Sequence, residues 1–205
     1  MAGSIVPGNA TLQTINDRRS TRMFLDTPVS EDDIRTILDA AHQAPSAHNQ
    51  QSWRFIVISG AQKDAFAALI NDKAADFPKP SSTLLRLASR AVNSAPVVVG
   101  IANSGELISR GAGLFNLDDS AAFDFFRVME IQSSAAAVQN LLLAATSLGL
   151  STVWLGVLVL IKADILKFIG EPQGEFMAVI PVGYSVPSTS GPKKKALDMV
   201  IRRLA

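Results

Sequence analysis

At 205 residues, with 48% hydrophobic residues and a formal net charge of +1, the chain is long enough for one domain with a substantial core. It carries no field that would draw nucleic acid or an anionic membrane to its whole surface. It contains no cysteine and only two histidines, His42 and His48, which excludes disulfides and thiolate chemistry and leaves little for a metal centre. Its apolar runs fall far short of the roughly 20 residues a membrane span needs. The opening M-A-G-S-I-V-P-G-N-A lacks the basic start and apolar core of a secretory signal, so the expected location is cytoplasmic.

In chain order, residues 1–10 read as a flexible lead-in, broken by Gly3, Pro7, Gly8 and Asn9. A short helix is expected over Thr11–Asp17 with Leu12 and Ile15 inward, then an extended stretch over Ser20–Leu25. The next helix is signalled by Ser30 as N-cap and by Glu31, Asp32 and Asp33 in its first turn. Its inward face is Ile34, Ile37, Leu38 and Ala41, and Pro45 stops it. Phe55–Ile58 and Val97–Ile101 read as buried strands, separated by helices near Gln62–Asn71 and Thr83–Asn93 and a proline-rich turn at Phe77–Pro80.

Residues 103–122 are weakly patterned and read as loop. Phe123–Leu148 is a helix with apolar residues nearly all round it, which predicts burial on most sides and a subunit interface. Gly149 caps it. Thr152–Val159 reads as strand, Ala163–Ile169 as a short helix ended by Gly170, Phe176–Val182 as a last strand, and the tail as an amphipathic helix or arm. With no βαβ rhythm, the expected class is α+β with one domain over 11–205.

Two segments could carry chemistry. R-R-S-T-R at Arg18–Arg22 sets three guanidinium groups around a hydroxyl. In an extended segment Arg18, Ser20 and Arg22 share one side while Arg19 takes the other, and Arg18 and Arg22 start roughly 14 Å apart. That spacing compares with a mononucleotide running from phosphate to ring, with one arginine for the phosphate and the other for the ring's polar edge. A solvated basic turn is the alternative. A-P-S-A-H-N-Q-Q-S-W at Ala44–Trp53 supplies a hydroxyl from Ser46 and amides from Asn49, Gln50 and Gln51, groups that donate and accept together as a heterocycle edge requires. Trp53 is expected in the core and His42 in a structural role. Neither G-x-x-x-x-G-K-[ST] nor G-x-G-x-x-G is present, against a P-loop or Rossmann site. Ser133 and Ser134 have no adjacent base, against a hydrolase nucleophile.

Three blocks resemble the nitroreductase family of FMN enzymes: R-R-S-T-R-M-F at Arg18–Phe24 with P-V-S-E-D-D-I after it, A-A-H-Q-A-P-S-A-H-N-Q-Q-S-W-R-F-I-V-I at Ala40–Ile58, and A-A-A-V-Q-N-L-L-L-A-A-T-S-L-G-L-S-T-V-W-L-G at Ala135–Gly156. A V-G-Y segment at Val182–Tyr184 and a basic tail follow. The resemblance implies a mixed central sheet flanked by helices, in an intertwined homodimer with two FMN sites at the interface. It further implies that Arg18, Arg19 and Ser20 contact the phosphate and ribityl chain, and that Arg22 lies by the pyrimidine edge. Ser46, Ala47 and His48 would lie against the isoalloxazine from the other subunit, with Pro45, Asn49 and Gln51 as further cofactor-binding positions of the same motif. Trp154, Leu155 and Gly156 would approach the flavin N5 side, and Lys194, with Lys193 and Lys195 beside it, would reach the phosphate. Ser52 stands where many members have proline, and the tail lysines stand where arginine is frequent.

The activity this implies is hydride transfer from NAD(P)H through flavin N5 to a small electron-poor acceptor such as a nitroaromatic or quinone, with ping-pong kinetics and Arg22 as electrostatic support. No side chain acts as a nucleophile. The alternatives are a flavin-binding storage or sensor protein without turnover, an interaction domain using Arg18–Arg22, or a family member catalysing reductive dehalogenation or flavin fragmentation.

Overall fold

Strand β2 (Val97–Asn103) is buried along its whole length, and the other elements are arranged around it. The structure, a computed structural model, describes residues 8–115, 118–186 and 193–204. Strand β1 (Trp53–Ser59) pairs antiparallel with β2, β2 with β4 (Glu175–Gly183), and β4 with the short β3 (Ser151–Thr152), giving the order β1-β2-β4-β3. These named pairs are all antiparallel. The mixed character expected of the sheet comes down to one parallel bridge, between Ser20 and Thr152.

Alternate side chains of β2 go to opposite faces, and both faces are covered. Val98 and Ala102 join helices α3 (Gly60–Lys73), α4 (Ser81–Ser94) and α7 (Lys162–Phe168) in one apolar cluster. Val97, Val99 and Ile101 join α2 (Glu31–His42) and α6 (Asp119–Ser147) in another. Strand β4 keeps to this division only through a bulge. Ile101 faces Ala178 and Ala102 faces Phe176, so Met177 is an extra residue. Phe176 therefore packs with Val179 on the α3–α4 side, while Met177 and Ala178 pack toward α6.

Helix ends follow local chemistry. Ser30 Oγ accepts from Asp33 N–H at 3.0 Å and Asp118 Oδ1 from Ala121 N–H at 2.9 Å. Gly149, at φ +75°, closes the C-terminus of α6. The Glu175 carboxylate hydrogen-bonds Arg127 on α6 and holds that guanidinium above its ordinary pKa.

Four expectations are corrected. Residues 103–122 are not a loop: α5 (Glu106–Phe115) occupies their middle and α6 begins at Asp119. The first turn of α5 is capped from afar, by Glu130 accepting from Leu107 N–H at 2.9 Å, a partner that local pattern cannot show. Thr152–Val159 is strand only as far as Thr152. The chain then turns into a 3-10 segment, Gly156–Ile161, whose Leu158 and Ile161 enter the core at a spacing of three. Helix α1 (Ala10–Asp17) buries nothing: Leu12 and Ile15 are exposed. Helix α6 is enclosed through Ala137, Val138, Leu141 and Ala145, yet its first half leaves Phe123, Phe125 and Val128 exposed.

The tail is arm rather than helix, with one 3-10 turn at Leu197–Met199 and with Leu197, Met199, Val200, Ile201 and Leu204 exposed. Most of the expected lead-in, residues 1–7, lies outside the described residues. No helix among the described residues is long and apolar enough to cross a membrane.

Where α5 crosses α6, Gly111 lies against the fully buried Phe126, and a Cβ there would fall within the ring's van der Waals envelope. Alanine gains roughly 1 kcal/mol of helix propensity over glycine, but overpacking costs typically 1–3 kcal/mol. Gly111→Ala is therefore expected to lower stability by up to about 2 kcal/mol in urea unfolding; a stabilised variant would contradict this packing.

Candidate functional site

Arg18 follows α1 directly, its N–H bonded to Thr14 O at 3.1 Å, and the chain then runs extended. Thr21 N–H donates to Thr152 O at 2.9 Å, and Leu25 N–H to Tyr184 O at 2.7 Å. These bonds seat Ser20 beside Thr152 and bring Arg18–Arg22 against the segment Trp154, Leu155 and Gly156. Arg19 turns back onto the carbonyls of Asn16 and Arg18. The exposed Arg22 and half-buried Arg18 make no ion pair or side-chain hydrogen bond among the described residues.

Leu155 N–H is bonded to Val179 O at 3.0 Å, which pins the segment to mid-sheet, while Trp154 and Gly156 are exposed. Nothing but Trp154 Cδ1, at 4.0 Å, would meet a Cβ at Gly156, so a flat group has room to lie against this backbone. Two unneutralised cations beside such a ledge fit an anionic, planar cofactor.

The loop of Pro45, Ser46, Ala47, His48, Asn49 and Gln51 is a tight, strained turn. His48, Asn49 and Gln51 have φ of 51°, 52° and 52°, a left-handed conformation costing roughly 1–2 kcal/mol per residue. Its supports are specific. Ala47 N–H donates to Ser133 Oγ at 3.0 Å, and Ser133 in turn donates to Met129 O at 2.7 Å. Gln51 N–H donates to Ser46 Oγ at 3.1 Å and Gln51 Nε2 to Asn49 Oδ1 at 2.9 Å. Strain held this firmly points to function. Behind the loop, Trp53 is buried as expected and donates to His42 Nδ1 at 3.1 Å, the structural role expected of His42.

These two parts lie at opposite corners of the sheet. Ser59, Val97, Val182 and Thr152 form one row across it, whereas Trp53 begins β1 at the far end of the far edge. Three strand spacings amount to about 14 Å and six residues to about 20 Å, so the corners are some 25 Å apart. Within one chain the arginine segment and the loop are not brought together. Lys193, Lys194 and Lys195 are exposed on the tail and form no ion pair among the described residues.

Sequence reasoning missed the groups that brace the loop. On α6, Glu130 holds α5 through Leu107, Ser133 holds Ala47, and Ser134 donates to Asn103 at the end of β2. Glu130 Oε2, Asn103 Nδ2 and Thr152 Oγ1 are buried without a partner among the described residues. From α5, Glu106 accepts from Arg54 and, at 3.1 Å, from Gln50 Nε2, while Arg110 donates to Gln50 Oε1 at 2.8 Å. The i, i+4 spacing of Glu106 and Arg110 beside Leu107, Ile108 and Gly111 was the available signal. No group of His, Cys, Asp or Glu among the described residues could hold a metal ion.

Ser133→Ala removes the acceptor of Ala47 N–H, a bond worth about 1 kcal/mol. Amide exchange at Ala47 is expected to accelerate roughly five- to tenfold by NMR. Unchanged protection would mean that the turn holds itself.

Known proteins resemble this chain in sequence and in fold. The sequence profile described as the Nitroreductase family matches residues 15–184. An Archaeoglobus fulgidus protein, provisionally named an NADH dehydrogenase/NAD(P)H nitroreductase, is 32% identical over 146 residues, 71% of this chain and 67% of that one. A similarly named protein of Methanothermobacter thermautotrophicus is 30% identical over 176 residues, 84% of this chain and 76% of its own. A provisionally assigned nitroreductase of Desulfovibrio desulfuricans, solved in complex with FMN, superposes with a TM-score of 0.72 at 29% identity and covers 96% of this chain and 98% of that one. With a profile match spanning both the arginine segment and the strained loop, the chain belongs to the nitroreductase family.

Proposed function

We propose that the protein is an FMN-dependent oxidoreductase that takes electrons from NAD(P)H and delivers them to a small electron-poor acceptor, working as an intertwined homodimer. The observation that carries this reading is the separation just described. The Arg18–Arg22 segment and the Trp154–Gly156 ledge form one corner, the Ser46–Gln51 loop the opposite one, and about 25 Å is beyond a mononucleotide's reach. A second copy can supply the loop. The exposed Phe123, Phe125 and Val128 and the apolar side chains of the tail give such a dimer its adhesive surface, since fully burying a large apolar side chain contributes about 1.5–3 kcal/mol.

Bound FMN would supply the redox chemistry, taking up electrons and passing them on. The chain's part is to hold and polarise. Arg18 would hold the phosphate, with Ser20 and Arg19 beside it. Arg22 would place its charge by the pyrimidine edge and favour negative charge there. Trp154, Leu155 and Gly156 offer backbone to one part of the ring. Pro45, Ser46, Ala47, His48, Asn49 and Gln51 of the second copy close over it and exclude water, and Lys194 adds a point charge near the phosphate.

The protein is expected to purify yellow or take up FMN, to sediment as a dimer, and to lose its flavin absorbance anaerobically with NADH or NADPH, regaining it with a nitroaromatic or quinone. Flavin that binds but is not reduced would favour a storage or sensor role instead. A colourless monomer that takes up no FMN would overturn the reading. Arg18→Ala should weaken FMN binding roughly 10- to 100-fold by fluorescence titration, the size of a lost charge-assisted contact; an unchanged Kd would remove Arg18 from the site.

A further inference from the structure

Arg110 has no carboxylate partner among the described residues. It projects from α5 as an exposed residue and donates one guanidinium hydrogen bond, at 2.8 Å, to Gln50 Oε1. Gln50 is itself fixed, because its Nε2 donates to Glu106 Oε2 at 3.1 Å. The carboxylate in this chain is already neutralised by Arg54, which is bonded to Glu106 Oε1. The sequence Arg54–Glu106–Gln50–Arg110 therefore ends on a cation whose charge is unmatched among the described residues.

Its place is also fixed by packing. Leu107, Ala122 and Phe126 form a buried cluster, with Ile108, Met129 and Ala47 of the strained loop against it. That cluster locks α5 to both α6 and the loop. Arg110 is thus a planar fork with most of its five donors unused, oriented in advance at the rim of the loop. Pre-orientation matters because it reduces the side-chain entropy lost when a ligand binds, and the fork matches the two oxygens of an oxyanion.

We propose that Arg110 selects reactants bearing an oxyanion, receiving that group while the rest of the molecule lies on the flavin. This rests on the reading that the Ser46–Gln51 loop closes over the ring. Two sources share the chemistry, a carboxylate on an aromatic acceptor and the 2′-phosphate of NADPH, and substrate pairs separate them.

The test uses the FMN-loaded protein and its Arg110→Gln and Arg110→Lys variants. It compares kcat/KM for 4-nitrobenzoate with that for 4-nitrobenzamide, and for NADPH with that for NADH. In Arg110→Gln one of the two ratios is expected to fall at least tenfold, as for a lost charge-assisted hydrogen bond, with Arg110→Lys retaining part of it. The ratio that moves identifies the source. A merely structural Arg110 would shift both members of a pair alike, because displacing Gln50 disturbs the loop for every reactant. Ratios that change less than twofold in a variant that still binds FMN and is still reduced would overturn the proposal and leave the flavin site standing. A wild-type protein that takes up no FMN would overturn both.

Discussion

One backbone hydrogen bond, from Thr21 N–H to Thr152 O, governs the layout of the candidate site. It fastens the segment after α1 to the last edge of the sheet, and so sets Arg18 and Arg22 beside the Trp154–Gly156 ledge. Because β3 leaves the sheet after Thr152, the ledge is open to solvent instead of being covered by a further strand. The same pairing fixes how far these cations stand from the turn before β1. The sheet thus works as a spacer between the arginine segment and the strained loop.

Helix α6 is the counterpart of that spacer. Over little more than one turn, Glu130, Ser133 and Ser134 reach α5, the strained loop and the end of β2. The three left-handed residues of the loop cost about 3–6 kcal/mol together. The hydrogen bonds accepted by Ser133 Oγ, Ser46 Oγ and Asn49 Oδ1, at about 1 kcal/mol each, with the packing of Ala47 against Leu107 and Phe126, offset a sum of that order. The turn therefore keeps its shape through its neighbours, and its composition alone would not dictate it.

Much of the layering was legible in the sequence, because Ser30, Gly149 and Gly170 mark helix ends by local chemistry and the runs around Val97–Ile101 and Phe176–Val182 are too apolar for anything but a covered sheet. The motifs at Arg18–Arg22 and Ala44–Trp53 identified the segments of interest. What escaped was nonlocal. Helix α5 owes its start to a carboxylate 23 residues away. The residues after Thr152 look strand-like, yet Leu158 and Ile161 are claimed by a core that wants them three apart. Ser133 was legible only as a poor nucleophile, whereas its role is to accept from a backbone amide 86 positions earlier. The separation of the arginine segment from the loop needed the register, which no single segment encodes.

The bulge at Met177 makes chain length, more than side-chain type, the guarded property of strand β4. Deleting that residue would make Phe176–Ala102 and Ala178–Ile101 consecutive pairs, so both would keep their sides and the two-residue alternation would run unbroken. Deleting Val179 instead would carry everything before it to the opposite side, taking Phe176 out of the cluster it shares with the α3–α4 layer and turning Glu175 away from Arg127. Met177 is thus the one position here at which losing a residue preserves the layering.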